Sequence, residues 1–352
     1  MSMLNDILKA ALAEKVSDVH MVVGQSPLIR LDTEMTPMDL PVLTAESTQR
    51  MMQEMVTPKR FEAFLEARDA DFSYEVPGAA RFRVNAHFQR GSVALAFRVI
   101  NDKVRALEAL GLPEVITKLT YLPRGLVLVT GGTGSGKSTT LAAMIDAMNR
   151  RYSKHIITLE DPIEYLLKSD RCTIEQREVG SDVPSFASGL KHVLRQDPDI
   201  ILVGEMRDLE TTSAAISAAE TGHFVMSTLH TNSAAQTIER IIDIYPGDQQ
   251  NQIRSMLSNT LQAVVCQELL QRSDAPGMVP AVEVLICTPA VRNLIRENRI
   301  YEIQNVIETS RALGMQTMDT SIKQLYFNGK ISKEDAVAMA HHPEKLERQL
   351  VA

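Results

Sequence analysis

The sequence has no tryptophan, and aromatic residues make up 5% of its 352 positions. Proteins that bind single-stranded nucleic acid stack bases on aromatic rings, and this chain has few to offer. It has no basic excess either, since its net charge is −7. Electrostatic binding of nucleic acid needs a positive footprint, so no nucleic-acid partner is expected. The three cysteines, Cys172, Cys266 and Cys287, form no C-x-x-C pair. That scatter argues against structural zinc and suits a reducing cytoplasm. No apolar run approaches the ~18 residues of a membrane-spanning helix. The opening Met1-Ser2-Met3-Leu4-Asn5-Asp6 lacks the basic n-region of a signal peptide. Any membrane role is therefore expected to run through a partner. No internal repeat or low-complexity segment is present.

What is there is a packable chain, 44% hydrophobic and 23% charged, with one dominant motif. Gly131-Gly132-Thr133-Gly134-Ser135-Gly136-Lys137-Ser138 fits G-x-x-x-x-G-K-[ST] at every fixed position. Its flanks fit as well. Gly125 to Thr130 is a short apolar run that reads as a buried parallel strand, and Thr139 to Met148 reads as a helix. Glycines between a strand end and a helix start leave backbone N–H groups and the helix dipole facing an anion. Gly131, Gly132, Thr133, Gly134, Ser135, Gly136, Lys137, Ser138 and Thr139 are thus the expected nucleotide-binding residues. Lys137 is expected at the β- and γ-phosphates and the Ser138 hydroxyl at Mg²⁺.

The length admits two domains. Residues 1–101 read as a small α+β domain. It has a helix over Leu4–Leu12, strands at Val19–Val23 and Leu28–Leu31, and helices at Thr44–Met55 and Pro58–Ala67. A hairpin joins Arg81–Gln89 to Ser92–Ile100 about Arg90-Gly91. Residues 102–111 read as a linker. Residues 112–352 then alternate strand and helix, with strands at 125–130, 156–160, 200–203 and 224–229, which predicts a parallel sheet covered by helices. After about residue 232 the pattern reads as helical to the end.

Further segments carry chemistry. The apolar run Asp199 to Gly204 ends in Glu205, where a strand-end carboxylate can meet Mg²⁺ or the attacking water. Glu160-Asp161-Pro162-Ile163-Glu164 crowds three acids after a strand, which is costly without a cation or a proton-transfer role; a solvated acidic loop is the plainer reading. His223 and His230 flank the strand Phe224 to Leu229. Their odd separation makes them poor joint metal ligands, though either could touch a γ-phosphate. Arg81, Arg83, Arg90 and Arg98 lie in a window, Val76 to Asn101, without lysine or acid. A guanidinium fork suits phosphate, so Arg81, Arg83 and Arg98 are candidate phosphate contacts brought across a domain or subunit boundary. Arg292 and Arg296 share a helix face, as a solvated or partner-facing surface would.

Taken together, these segments resemble the secretion-type traffic ATPases, and within them the type IV pilus retraction ATPases. The resemblance spans nearly the whole chain. It covers Ser17-Asp18-Val19-His20, Ala80 to Asn85, the glycine-rich loop, the acidic box Glu160–Glu164, and Gln176-Arg177-Glu178-Val179. It continues through Leu194 to Asp199, Gly204-Glu205-Met206-Arg207-Asp208, and the histidine box Ala219 to His223 with Thr228 to Thr231. Ala290 to Glu297 and Gly314 to Met318 complete it. Gly132 stands where the family usually has proline. Asn85 to Arg90 departs from the usual hairpin.

The resemblance implies a PAS-like N-terminal domain, a RecA-like P-loop ATPase core and a homohexameric ring. It implies ATP hydrolysis with Mg²⁺, coupled to pilus retraction and twitching motility at the cytoplasmic face of the inner membrane. An inner-membrane platform protein and an accessory retraction ATPase paralogue are the implied partners. Glu164 would be the general base and Glu205 the metal-side acid, with Glu160, His223 and His230 as further catalytic residues. The alternatives are a type II secretion ATPase and a RecA-like nucleic-acid translocase.

Overall fold

The computed structural model describes all residues except 1, 15, 32, 33, 101, 102 and 352. The chain divides into two compact units, Met1–Lys103 with Pro162–Leu166, and Val104–Asp161 with Leu167–Ala352. In the first unit the helix α1 (Met3–Ala13) buries Leu4, Ile7, Leu8 and Ala11, one stripe at helical spacing. Three short strands follow, β1 (Asp18–Met21), β2 (Leu28–Leu31) and β3 (Glu34–Pro37). The helices α2 (Ala45–Met55) and α3 (Pro58–Ala67) start on Thr44 and Thr57, whose side chains accept from Ser47 N and Arg60 N. Then come β4 (Asp69–Val76), β5 (Ala80–Gln89) and β6 (Ser92–Ile100). The β5–β6 turn puts Arg90 at φ 49° and Gly91 at φ 79°. Both central residues in the left-handed region is the turn whose twist suits a tight hairpin. The sheet is antiparallel throughout, in the order β3-β2-β1-β6-β5-β4.

Two of these strands differ from the sequence pattern. β3 is wholly exposed, an edge strand with no apolar side to reveal it. β4 alternates Asp69, Asp71, Ser73 and Glu75 with Ala70, Phe72, Tyr74 and Val76 and buries Phe72 and Val76, a half-buried strand that the sequence reading passed over. Of the expected 102–111 linker, residue 102 and the preceding Asn101 lie outside the described residues. Leu107–Leu110 is a 3-10 turn that buries Leu107 in the second unit, so that part is core rather than tether.

The second unit begins with α4 (Glu114–Leu119), β7 (Gly125–Thr130) and α5 (Lys137–Asn149). It continues through β8 (His155–Glu160), β9 (Thr173–Glu178), α6 (Phe186–Val193), β10 (Ile200–Val203), α7 (Leu209–Glu220) and β11 (Phe224–Leu229). Next are α8 (Ala234–Asp243), α9 (Gln250–Thr260), β12 (Leu261–Gln271), β13 (Met278–Ile286) and α10 (Pro289–Arg296). The chain ends in α11 (Ile303–Thr309), α12 (Met318–Phe327), α13 (Lys333–Met339) and α14 (Pro343–Val351). The sheet order is β13-β12-β7-β11-β10-β8-β9, parallel except for the β12–β13 pair.

β7, β10 and β11 are buried at every residue, because helices cover both faces of a parallel sheet. Alternate residues divide between two cores. Leu126, Leu128, Ile157, Leu159, Ile201 and Val203 pack with α6 to α10, and Val127, Val129, Ile156, Ile200 and Leu202 pack with α4 and α5. A third cluster joins α12, α13 and α14 to Leu270 and Ala281 at the far ends of β12 and β13. The expectation of a helical segment from about 232 onward is corrected by β12 and β13. Both are buried on both faces over their central residues, so neither shows the alternation that marks a strand in sequence. No helix among the described residues is long and apolar enough to cross a membrane.

Candidate nucleotide site

Parallel neighbours end on the same side, so the C-terminal ends of β7, β8, β10 and β11 line one edge of the sheet. That edge is where open α/β sheets bind ligands. The Gly131–Ser138 loop leaves β7 there, Glu160 ends β8, Glu205 follows β10, and His230 follows β11.

The loop's shape follows from its glycines. Gly131, Gly134 and Gly136 have φ of 138°, 79° and 87°, a region that side chains resist. A Cβ on Gly131 would lie 2.2 Å from the Gln267 carbonyl oxygen, whereas Gly132 and Gly134 face open space. Lys137 Nζ donates to the carbonyls of Gly131 and Gly132 at 2.8 and 2.9 Å. Lys137, Ser138, Thr139 and Thr140 form the first turn of α5, whose N-terminus carries partial positive charge. The Ser135 Oγ is buried and without a hydrogen-bond partner. Open space over Gly132 and Gly134, an orphaned hydroxyl and a helix N-terminus fit a bound phosphate chain.

Glu205 is positioned by its strand. Gly204 N donates to Leu159 O at 2.7 Å, Met206 N to Thr228 O at 3.2 Å, and Thr228 Oγ1 to Gly204 O at 2.6 Å. Its Oε2 accepts from Arg207 Nε at 2.8 Å and lies 3.4 Å from His230 Nε2. The hydrogen bond to Glu205, and then its charge, raise the Arg207 guanidinium above its usual value. Glu160 Oε1 accepts from Thr158 Oγ1 at 2.6 Å and from Gln176 Nε2 at 3.0 Å. So the acid nearest the strand end is held by two neutral donors.

The remaining predicted residues belong to other elements. His223 precedes β11, and its carbonyl accepts from Gly125 N at the start of β7. The six residues of β11 separate it from His230, roughly 20 Å of strand, so the subunit does not bring His223 to the loop. Glu164 belongs to the segment grouped with the first unit, where Arg83 Nη1 lies 3.8 Å from its Oε1. Arg98 Nε donates to Asp18 Oδ1 at 2.8 Å, and Arg81 Nη2 donates to Ser73 Oγ. Burial pushes the Asp18 carboxyl up, but bonds from Ser17 and Arg98 outweigh it and hold the group below its usual value. Arg98 is 72% exposed, so water screens this pair and its stabilisation is small. Arg292, expected on a solvated or partner-facing surface, is half-buried and turns its guanidinium onto the chain itself. It donates to the Asn259 carbonyl at 2.9 Å and to Gln262 Oε1 at 3.1 Å, closing the turn from α9 into β12.

Other groups bear on the site's chemistry. Gln267 and Arg207 both contact it. Arg207 entered the sequence reading only within the Gly204–Asp208 segment, with no role of its own, and Gln267 was hidden in an apolar run. All three cysteines are buried and free, and burial pushes the Cys266 and Cys287 thiols up, so neither of these two is a ready nucleophile. No group of three His, Cys, Asp or Glu among the described residues could hold a metal ion alone.

The comparisons with known proteins agree on one family. The model for "Type II/IV secretion system protein" matches residues 1–337. The "Type IV pilus retractation ATPase PilT" of Pseudomonas aeruginosa is 47% identical over 341 residues, 97% of this chain and 99% of that protein. The chain belongs to the pilus retraction ATPases of this secretion family. A "Twitching motility protein" of Neisseria gonorrhoeae is 47% identical over 340 residues, 97% of this chain and 91% of that one. Among solved structures, "Crystal Structure of the Pilus Retraction Motor PilT and Bound ADP" aligns with a TM-score of 0.91 at 45% identity, covering 99% of each chain. The mixed α/β architecture with a P-loop core thus holds for this retraction ATPase.

Proposed function

We propose that this chain is an ATP-hydrolysing motor that works as a ring of six and powers type IV pilus retraction, and with it twitching motility. The observation that carries the reading is the gathering of the Gly131–Ser138 loop, Glu160, Glu205 and His230 on one sheet edge, in a chain of the retraction ATPase family. The loop amides and the first turn of α5 bind the nucleotide phosphates. Lys137 exchanges the Gly131 and Gly132 carbonyls for phosphate oxygens. Ser138 and Glu205 are the residues that would hold Mg²⁺, which supplies charge neutralisation on the β- and γ-phosphates. Arg207 keeps the Glu205 carboxylate oriented, and His230 lies close enough to sense its state.

Glu164 is the general base that orients and deprotonates the attacking water, while Glu160 is a fixed acceptor beside it in sequence. Arg81, Arg83 and Arg98 bring charge to the transition state from the first unit, in the manner of arginine fingers. Arg83 can exchange its contact for phosphate readily, since both it and Glu164 are half-exposed. The motor acts at the cytoplasmic face of the inner membrane, against a platform protein of the pilus machine, with an accessory retraction ATPase as a further partner. Purified protein should hydrolyse ATP in a Mg²⁺-dependent way, and Lys137→Ala should abolish that hydrolysis. Wild-type turnover in Lys137→Ala would sink the reading.

A further inference from the structure

Strand β12 runs parallel to β7 with Cys266 opposite Thr130. The next residue, Gln267, therefore sits beside the point where β7 gives way to the phosphate loop. Its side chain is buried, with the residue 3% exposed. Its Nε2 donates to the Ser135 carbonyl at 2.8 Å, and its Oε1 accepts from Thr140 Oγ1 at 2.8 Å. The amide thus spans the loop and the first turn of α5. The Thr140 hydroxyl bonds the amide oxygen and the Ser135 carbonyl needs a donor, so only one orientation of the amide serves both. Gln267 also explains two glycines. A Cβ at Gly131 would meet its carbonyl at 2.2 Å, and a Cβ at Gly136 would meet its Nε2 at 2.7 Å.

One consequence follows from peptide geometry. The C=O and N–H of a trans peptide point in opposite directions. Holding the Ser135 carbonyl toward Gln267 therefore turns the Gly136 N–H the other way, away from β12. Released, that peptide can rotate and present an oxygen where an amide proton belongs, and an oxygen opposes a phosphate.

We propose that Gln267 is a positioning residue for nucleotide binding, whose buried amide fixes the Ser135–Gly136 peptide so that its N–H faces the bound phosphates. The proposal rests on the reading of Gly131–Ser138 as the phosphate loop. It adds a residue on β12, a strand whose far end packs against α12, to the determinants of affinity.

The test is ADP affinity, measured by fluorescence titration with a labelled ADP on the full chain. Gln267→Met keeps the length and removes both bonds, and should weaken ADP about tenfold. Gln267→Glu keeps an acceptor for Thr140 but can donate to Ser135 only when protonated. Its affinity, relative to wild type, should therefore improve as pH falls from 8.5 to 5.5. A merely structural glutamine would give no such pH profile. Thr140→Val leaves Gln267 in place with one anchor lost and should weaken ADP about threefold. If Gln267→Met fails to fold, the Gln267→Glu profile and Thr140→Val still decide. Wild-type affinity in the folded variants, with a flat Gln267→Glu profile, would overturn the proposal. Failure of the wild type itself to bind ADP, or equal binding by Lys137→Ala, would instead overturn the phosphate-loop reading beneath it.

Discussion

Replacing the loop glycines one at a time by alanine should give three different outcomes, set by two separable terms. Gly132 has ordinary φ and open space where a Cβ would go. Alanine there costs nothing in the folded state and restricts the unfolded chain, so Gly132→Ala should be neutral or stabilise by ~0.4–1 kcal/mol. Gly134 is also open but has φ 79°, so Gly134→Ala should lose ~1–2 kcal/mol through backbone strain alone. Gly131 has φ 138°, and its Cβ would lie 2.2 Å from a backbone oxygen of β12 and 2.7 Å from Ser135 Oγ. Real Cβ atoms do not come within 3.0 Å, so the loop or β12 must shift by about 0.8 Å. Neither is a flexible side-chain tip. Adding an overpacking cost of ~1–3 kcal/mol to the strain gives Gly131→Ala a loss of ~2–5 kcal/mol. Thermal unfolding followed by circular dichroism should show this as a graded series, at ~2–4 °C per kcal/mol for a domain of this size. ADP affinity should fall in the same order, because the loop amides move with the backbone. Equal melting temperatures for Gly131→Ala and Gly132→Ala would refute the reasoning.

The remaining predictions separate neighbouring roles. Glu164→Gln should bind ATP normally and slow turnover by roughly 10²–10⁴-fold, measured by phosphate release. Glu160→Gln, whose carboxylate is already held by Thr158 and Gln176, should lose less; the reverse order would exchange the two assignments. Glu283 is fully buried on β13, and burial pushes its carboxyl above the usual value. A raised folded pKa means stability that is present below the unfolded value near 4.5 and lost as pH rises through the folded value. Glu283→Gln still accepts from Ala234 N, so its melting temperature should gain on wild type between pH 5 and pH 8, and a constant difference would contradict this.

Four parallel strands of the second unit, β7, β8, β10 and β11, were legible because helices cover both faces and make them apolar runs, whereas the polar edge strand β9 was not. The phosphate loop was legible because its glycines answer to local backbone geometry, which sequence records directly. β12 was not, since burial on both faces erases alternation and Gln267 interrupts the run as a surface residue would. β3 was missed because it is exposed along its whole length, and β4 was passed over although its polar and apolar residues alternate. The site's long-range partners were beyond pattern altogether. Thr140 with Gln267 and Arg292 with Gln262 are separated by 127 and 30 positions, and only the packed sheet brings the first pair together. His223 and His230 were placed at opposite ends of their strand by sequence, but only the parallel pairing of β11 with β7 shows that His230 stands at the loop end.

If hydrolysis at the Gly131–Ser138 loop drives pilus retraction, its loss should leave pili that cannot be withdrawn. The direct measurement replaces the chromosomal copy in the native host with Lys137→Ala and scores surface pili and twitching together. Retained or increased pili with no twitching is the expected result. Normal twitching, or loss of pili from the surface, would contradict it.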